Sequence, residues 1–508
     1  MEVIPNNIEP TGAVKALAIG PWLVEPNEPR YEGDGLDFTD VDNADRLIRR
    51  HGHKLRYCAQ WKCWLTWDGQ RWTKDETGQI IEVVKETARQ IQVTAGKINN
   101  LDKAKDWFRF AIKSQSRDRL NAMASLAQSD ERVVVRSDDF DRDVELLNCL
   151  SGVIDLRTGQ VRPHKREQLI TKLAPTHYDP KLKPVRWLEF LNVAMGGNER
   201  MIAYLQRCVG YTLTGRTDEA AIFIPYGSGN NGKSVFTWTL DQILGDCACS
   251  AEPETLMTKR RDGSGPSGDV ARLKGARLVR AAESEMGQRL NESLLQRMTG
   301  GERVVARYAY GNDFEFTPEF KIWMPTNHKP TVRGTDKGIW RRLKLVPFEV
   351  DIPASLPSER RKSRDQVQAE LAAELPGILA WAVEGSRLWH QSGLQEPPEV
   401  TNATSEYQQE MDALANFIAE CCIVRDGLRT RKQALYAAYR RWCDDNNGTP
   451  LNDRNFGVRL GEKGFAKGPD GAGYTCYRRI GLAVEPALRD NASDSRQQAF
   501  ADGDIPIN

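Results

Sequence analysis

The chain has 508 residues, 40% of them apolar and 28% charged, with 71 Lys and Arg against 70 Asp and Glu. That length points to two to four domains, and that composition to a soluble globular protein rather than a disordered or disulfide-stapled one. Near-neutrality neither requires nor rules out a nucleic acid partner, because a channel needs only a local positive lining.

No run of about 20 apolar residues and no signal-like N-terminus is present, so the expectation is a cytoplasmic protein with no membrane partner. The ten cysteines include no Cys-x-x-Cys pair. His51, His53, Cys58 and Cys63 cluster, but their spacing fits no standard zinc site, and ordinary side chains are expected.

Residues 1–40 are rich in Pro, Gly and Asn and read as a flexible arm. Residues 41–215 form an expected N-terminal α+β domain. Within it, Trp61, Trp64, Trp67 and Trp72 surround a turn at Asp68-Gly69 and predict an aromatic hairpin. A helical stretch over 80–126 follows, then a strand–turn–strand from Leu146 through Gly152 to Val161.

Ala220-Ala221-Ile222-Phe223-Ile224 predicts a buried strand. It runs into Gly227-Ser228-Gly229-Asn230-Asn231-Gly232-Lys233-Ser234, and a helix is expected from Ser234-Val235 onward. Strand, loop and helix in that order give the G-x-x-x-x-G-K-S pattern its meaning. Glycines let the loop curl so that N–H groups converge on phosphate oxygens at a helix N-terminus. Gly227, Gly229, Asn230, Asn231, Gly232, Lys233, Ser234 and Val235 are therefore the expected ATP cradle. Lys233 would reach the β- and γ-phosphates, and Ser234 would ligate Mg²⁺.

Leu278-Val279-Arg280-Ala281-Ala282 predicts the next core strand, with Glu283 and Glu285 at its end as candidate metal-holding and water-polarising acids. This is not the usual Asp-Glu ending. A third strand, Phe320-Lys321-Ile322-Trp323-Met324, leads to Asn327, whose amide can orient the attacking water. Arg341 and Arg342 precede an apolar strand over 343–348, and either can serve as an arginine finger across a subunit boundary.

A polar linker then leads to a helix over 367–392, interrupted early by Pro376, and Pro397-Pro398 mark a second linker. Further on, Lys432 to Trp442 predicts an amphipathic helix, Asn452 caps a second, and Tyr474 to Arg479 predicts a strand. Residues 483–508 are polar and read as a disordered tail.

The order and content of these motifs resemble the phage/plasmid and poxvirus-type primase–helicases, superfamily 3 helicases of the AAA+ ATPases. The likeness includes Gly275-Ala276-Arg277-Leu278-Val279, Leu294-Leu295-Gln296-Arg297-Met298-Thr299-Gly300-Gly301-Glu302, Phe316-Thr317-Pro318, Thr326-Asn327-His328-Lys329-Pro330, Gly334-Thr335-Asp336 and Trp340-Arg341-Arg342. It implies an α/β fold: a three-layer P-loop core with a mostly parallel central sheet over 216–395, and a winged-helix-type C-terminal domain over 396–482. It also implies ATP and Mg²⁺ as cofactors, a ring, normally a hexamer, and 3′-to-5′ movement on single-stranded DNA in a bacterial host cytoplasm.

The family's pore hairpin corresponds to Val304 through Asn312, with Arg307 for phosphate contact and Tyr308 or Tyr310 for base stacking. Arg454 and Arg459 on the second C-terminal helix suit duplex or forked DNA. Only a short arm stands where full family members carry a primase domain, so no primer synthesis is expected and a separate primase or other replication protein is an expected partner. Two other classes stay open: a nucleotide-switched DNA-binding initiator or loader, and a non-replicative, defence-type ATPase.

Overall fold

The computed structural model describes residues 36–258, 268–281, 288–307, 312–332, 337–446, 450–470 and 472–483. Helix α1 (Asp40–His51) opens on Thr39, whose hydroxyl accepts from the Asp42 N–H. Acids fill its first turn and Arg49, Arg50 and His51 its last, the polarity a helix dipole favours. Phe38 stacks on Phe110 at 4.7 Å, so the last residues of the expected arm belong to the fold.

Strands β1 (Leu55–Cys58), β2 (Cys63–Trp67) and β3 (Trp72–Lys74) form an antiparallel meander. The tryptophan hairpin is β2–β3, with Trp67 opposite Trp72 and Gly69 at φ +103° in the turn. The expected helical stretch is three helices: α2 (Gln79–Ala95), α3 (Leu101–Ser114) and α4 (Arg117–Leu126). With α1 and β1 they enclose a small core of Leu47, Val84, Ala88, Met123 and Val133.

A second antiparallel sheet, β4 (Leu146–Cys149), β5 (Gly152–Asp155) and β6 (Gln160–Arg162), precedes α5 (Val185–Ala194) and α6 (Glu199–Leu213). Leu147, Ile154, Trp187, Leu205 and Val209 share one continuous core with Phe223, Phe236 and Trp323. The expected 41–215 domain therefore divides. Its first part has its own core, and the part from Leu147 to Leu213 belongs to the core of the central unit.

That unit contains β7 (Ile222–Tyr226), α7 (Lys233–Leu244), β8 (Ala248–Ala251), α8 (Pro253–Leu256), α9 (Gly268–Ala271), β9 (Leu278–Ala281) and α10 (Glu292–Thr299). The hairpin β10 (Val304–Arg307) and β11 (Asp313–Phe316) follows, then β12 (Lys321–Trp323), α11 (Lys337–Trp340) and β13 (Leu343–Pro347). Five strands make a parallel sheet in the order β13-β7-β12-β9-β8. Strand β7 is apolar on both faces, as a sheet covered on both sides requires. Ile222 and Ile224 join Leu295, Met298 and Trp340 on one side, and Phe223 joins Phe236 and Trp187 on the other.

Next come α12 (Ile352–Ser355), α13 (Arg364–Ala373), α14 (Leu375–Ser392) and α15 (Pro398–Glu410). The helix expected over 367–392 with an early interruption at Pro376 is two helices, the break falling at Glu374. Pro376 sits in the first turn of α14, where a missing N–H costs no helical bond. Helices α6 and α14 meet backbone to backbone: a Cβ on Gly210 would fall 2.0 Å from the Ser386 nitrogen, and one on Gly385 2.0 Å from the Gln206 oxygen. Tyr407 of α15 is buried edge-on against Trp340 at 5.2 Å, so the central unit runs past the expected boundary at 395 and includes α15.

The remaining unit is α16 (Ala413–Cys421), β14 (Cys422–Arg431), α17 (Lys432–Asp445), α18 (Asp453–Glu462), β15 (Lys467–Pro469) and β16 (Thr475–Leu482). Its antiparallel sheet has the order β14-β16-β15. Leu435, Phe456, Leu460, Tyr477 and Ile480 form its core.

Two buried cations close the central sheet at the end where β9 and β12 begin. Arg277 donates to the carbonyls of Leu213 at 2.6 Å and Leu146 at 2.7 Å. Lys321 donates to the carbonyls of Thr214 and Arg216, and burial pushes its ammonium well below the usual lysine range. No helix among the described residues is long and apolar enough to cross a membrane.

Candidate functional site

The glycine-rich loop leaves the carboxyl end of β7 and feeds α7, at the edge of a parallel sheet where ligands of open α/β folds gather. Its path is fixed from behind by β13. The Asn231 side chain donates to the Phe348 carbonyl at 2.7 Å, and Phe348 N–H donates to the Tyr226 carbonyl at 2.7 Å. Gly227 is obligatory here, since a Cβ would lie 2.0 Å from the Phe348 oxygen. Asn230 at φ +51° and Gly232 at φ +84° complete the turn into the helix.

Lys233 is the first residue of α7 and is only 6% exposed. Its Nζ donates to the Gly227 carbonyl at 2.8 Å and to Asn231 Oδ1 and Asn327 Oδ1 at 2.9 Å each. A buried ammonium needs such acceptors, and these three are neutral oxygens. Ser234, next in the first turn, is exposed, and Val235 is buried in the core beneath the loop.

Asn327 follows β12, the strand beside β7. Its position is set by Thr326, which is fully buried. The Thr326 N–H donates to the Pro225 carbonyl at 2.9 Å and its hydroxyl to the His328 carbonyl at 2.6 Å. Sequence reasoning gives Thr326 no role of its own, although it stands in the Thr326–Pro330 motif directly before Asn327. It also misses Arg280, which ties β9 to α7 through Asp241 at 2.7 Å. A lone charge inside the apolar run Leu-Val-Arg-Ala is the cue.

The two arginines before β13 separate. Arg341 is exposed, whereas Arg342 is buried and donates to Thr299 Oγ1 at 3.1 Å and to the Gly338 carbonyl at 2.6 Å. Arg342 thus braces α10 against α11. Arg307 ends β10 exposed and ion-paired with Asp313 across the hairpin. Glu283, Glu285, Tyr308 and Tyr310 lie outside the described residues. Arg454 is exposed on the first turn of α18 and Arg459 half-buried on its last, both in the C-terminal unit rather than beside the loop. Cys58 and Cys63 face each other across β1–β2 as free thiols.

Two family models match the outer parts of the chain. Residues 44–196 match the family described as "D5 N terminal like", and residues 409–474 match "Poxvirus D5 protein-like". Over 324 residues the chain is 26% identical to "Putative helicase L207/L206" of Acanthamoeba polyphaga mimivirus, covering 61% of this chain and 34% of that protein. It is 27% identical over 262 residues to "Putative helicase 022R" of Frog virus 3 (isolate Goorha), covering 48% of this chain and 26% of the other. A solved structure titled as the A form apo structure of the NrS-1 C terminal region aligns at a TM-score of 0.49 and 9% identity, over 86% of this chain and 99% of that one.

The chain is a mixed α/β protein, two stretches of which match D5-type family models. Its relatives are proteins of large DNA viruses named as helicases or a primase. The chain spans 34% of the length of the mimivirus protein and 26% of that of the Frog virus 3 protein.

Proposed function

We propose that the chain is an ATP-driven DNA helicase of a phage, plasmid or related mobile element, working as a ring on single-stranded DNA during replication. The observation that carries this reading is the meeting of Lys233 and Asn327 behind a glycine-rich loop at the carboxyl edge of a parallel sheet. The strand order β13-β7-β12-β9-β8 supports a AAA+ type of core, because β12 is inserted between the P-loop strand and the strand leading to Glu283. The order helix, strand, helix, helix, strand, strand from α16 to β16 supports a winged-helix-type C-terminal unit.

The residues present fit a nucleoside triphosphate. The loop's N–H groups and the α7 N-terminus would form an anion cradle, and three acceptors of Lys233 are neutral oxygens that a phosphate can replace. Ser234, with Glu283, would hold Mg²⁺, which supplies charge neutralisation at the phosphate oxygens. Asn327 orients the attacking water, with Glu283 or Glu285 as the acid that polarises it. Arg341 reaches outward to a neighbouring subunit's site, and Arg342 shapes the segment that presents it. The ring, hexameric by family likeness, then moves hairpin β10–β11 along DNA.

The deciding experiment is steady-state ATPase activity with and without single-stranded DNA, beside Lys233→Ala. Strong stimulation that vanishes in the variant is expected. Turnover indifferent to DNA would instead favour a nucleotide-switched loader or a non-replicative ATPase.

A further inference from the structure

Residues 422–431 and 467–482 hold six basic side chains and two acidic ones, in a chain that is balanced as a whole. Within this sheet Arg429 of β14 stands directly opposite Arg478 of β16. Both are exposed, and neither guanidinium has an ion pair or hydrogen bond among the described residues. Like charges directly opposite on an antiparallel pair destabilise it. Two residues along the same face, Arg431 lies over the Tyr474 ring at 4.2 Å and reaches Asp470 at 3.3 Å, while Tyr474 remains 54% exposed.

The backbone is bent to keep this arrangement. Arg479 takes a left-handed φ of +68°, and the register shifts between Val424 and Arg429. The bulge turns both Tyr477 and Ile480 inward onto α17 and α18, while Arg478 points out on the opposite face. Arg425 and Arg479 border the bulge, the latter held by Asp426 at 2.9 Å.

We propose that this outer sheet face, turned away from α17 and α18, binds the phosphates of a single-stranded nucleic acid through Arg429 and Arg478, with Tyr474 stacking on a base. A bound phosphate relieves the repulsion between the two arginines, with which no carboxylate among the described residues pairs. An exposed aromatic among arginines suits unpaired bases, whose faces are open, better than a duplex. The proposal rests on the reading of the chain as a DNA helicase, and it places the contact away from Arg454 on α18.

The test is fluorescence anisotropy of a labelled oligothymidylate with the full chain over a salt series, comparing wild type, R429T/R478T, R429K/R478K and R454A. The threonine pair is expected to weaken binding about tenfold or more and to lower the salt slope by about 1.4, two contacts at the single-strand value. The lysine pair should bind nearly as wild type. Without DNA, ATPase should be unchanged in the threonine pair and the thermal midpoint equal or higher. Wild-type affinity and slope in the threonine pair would overturn this inference alone, as would loss confined to R454A. A stronger loss on blunt duplex than on single strand would overturn the assignment to unpaired DNA. Failure of the wild-type chain to bind the oligonucleotide would overturn the inference together with the reading it rests on.

Discussion

Lys233 and Asn327, 94 residues apart, are joined at 2.9 Å between Nζ and Oδ1. The bond links the loop after β7 to the turn after β12, so the position of one side chain reports on the other. Lys233→Ala is expected to abolish binding of a fluorescent ATP analogue. Asn327→Ala should retain binding but lose turnover by about 100-fold, as for a positioning group whose loss shifts the attacking water. Normal turnover in Asn327→Ala would remove the amide from the chemistry.

Adjacent arginines should fail in different ways. Arg342→Ala removes charged hydrogen bonds to Thr299 and Gly338 and is expected to cost about 2–3 kcal/mol in denaturant unfolding. Arg341→Ala should move stability by no more than about 0.5 kcal/mol while lowering DNA-stimulated ATPase. An equal mixture of Arg341→Ala and Lys233→Ala should regain activity if the arginine acts across a subunit boundary. No recovery would place its role within one chain.

Glycine substitutions give a sharp contrast between helices. Gly210→Ala drives a methyl into the α14 backbone and is expected to cost about 3 kcal/mol or more, at the upper end of overpacking. Gly461→Ala on α18 meets nothing within 4 Å and should stabilise by about 0.4–1 kcal/mol by restricting the unfolded chain. Thermal unfolding of the two variants reads both effects.

His51 is expected to make the N-terminal helical unit acid-sensitive. Burial pushes its imidazole from 6.5 down to about 4, so the fold holds it neutral where the unfolded chain takes up a proton. Its contribution is intact above pH 6.5, falls as pH drops from 6.5 towards 4, and levels off below that. His51→Gln should flatten part of that slope in an unfolding midpoint measured from pH 7 to 4. An unchanged slope would assign the acid sensitivity to other groups.

The parts legible in the sequence were those in which local chemistry dictates geometry. A strand, a glycine loop and Lys-Ser could only be read together, Asp68-Gly69 between tryptophans had to turn, and Asn452 caps α18 by accepting from the Asn455 N–H. What was illegible depends on distant partners. Strand β14 shows little apolar alternation and contains Gly427, so its place beside β16 appears only once Arg429 meets Arg478. Gly210 and Gly385 look like weak points in helices until the helices are laid together. Which of Arg341 and Arg342 is buried is decided by Thr299, more than 40 residues upstream.

The cations beneath the sheet bear on how this protein can be dissected. Arg277 and Lys321 sit at the foot of the central sheet, yet the carbonyls of Leu146 and Leu213 that solvate Arg277, and that of Thr214 beside Lys321, lie before residue 215. A cut at that point would leave the buried Arg277 guanidinium without both carbonyl acceptors, a defect of about 3 kcal/mol or more for a charged group. It would also remove the apolar layer of α5 and α6. The smallest excisable central unit therefore starts upstream of β4, and the segment from β4 to α6 travels with the parallel sheet rather than with the helical unit that precedes it.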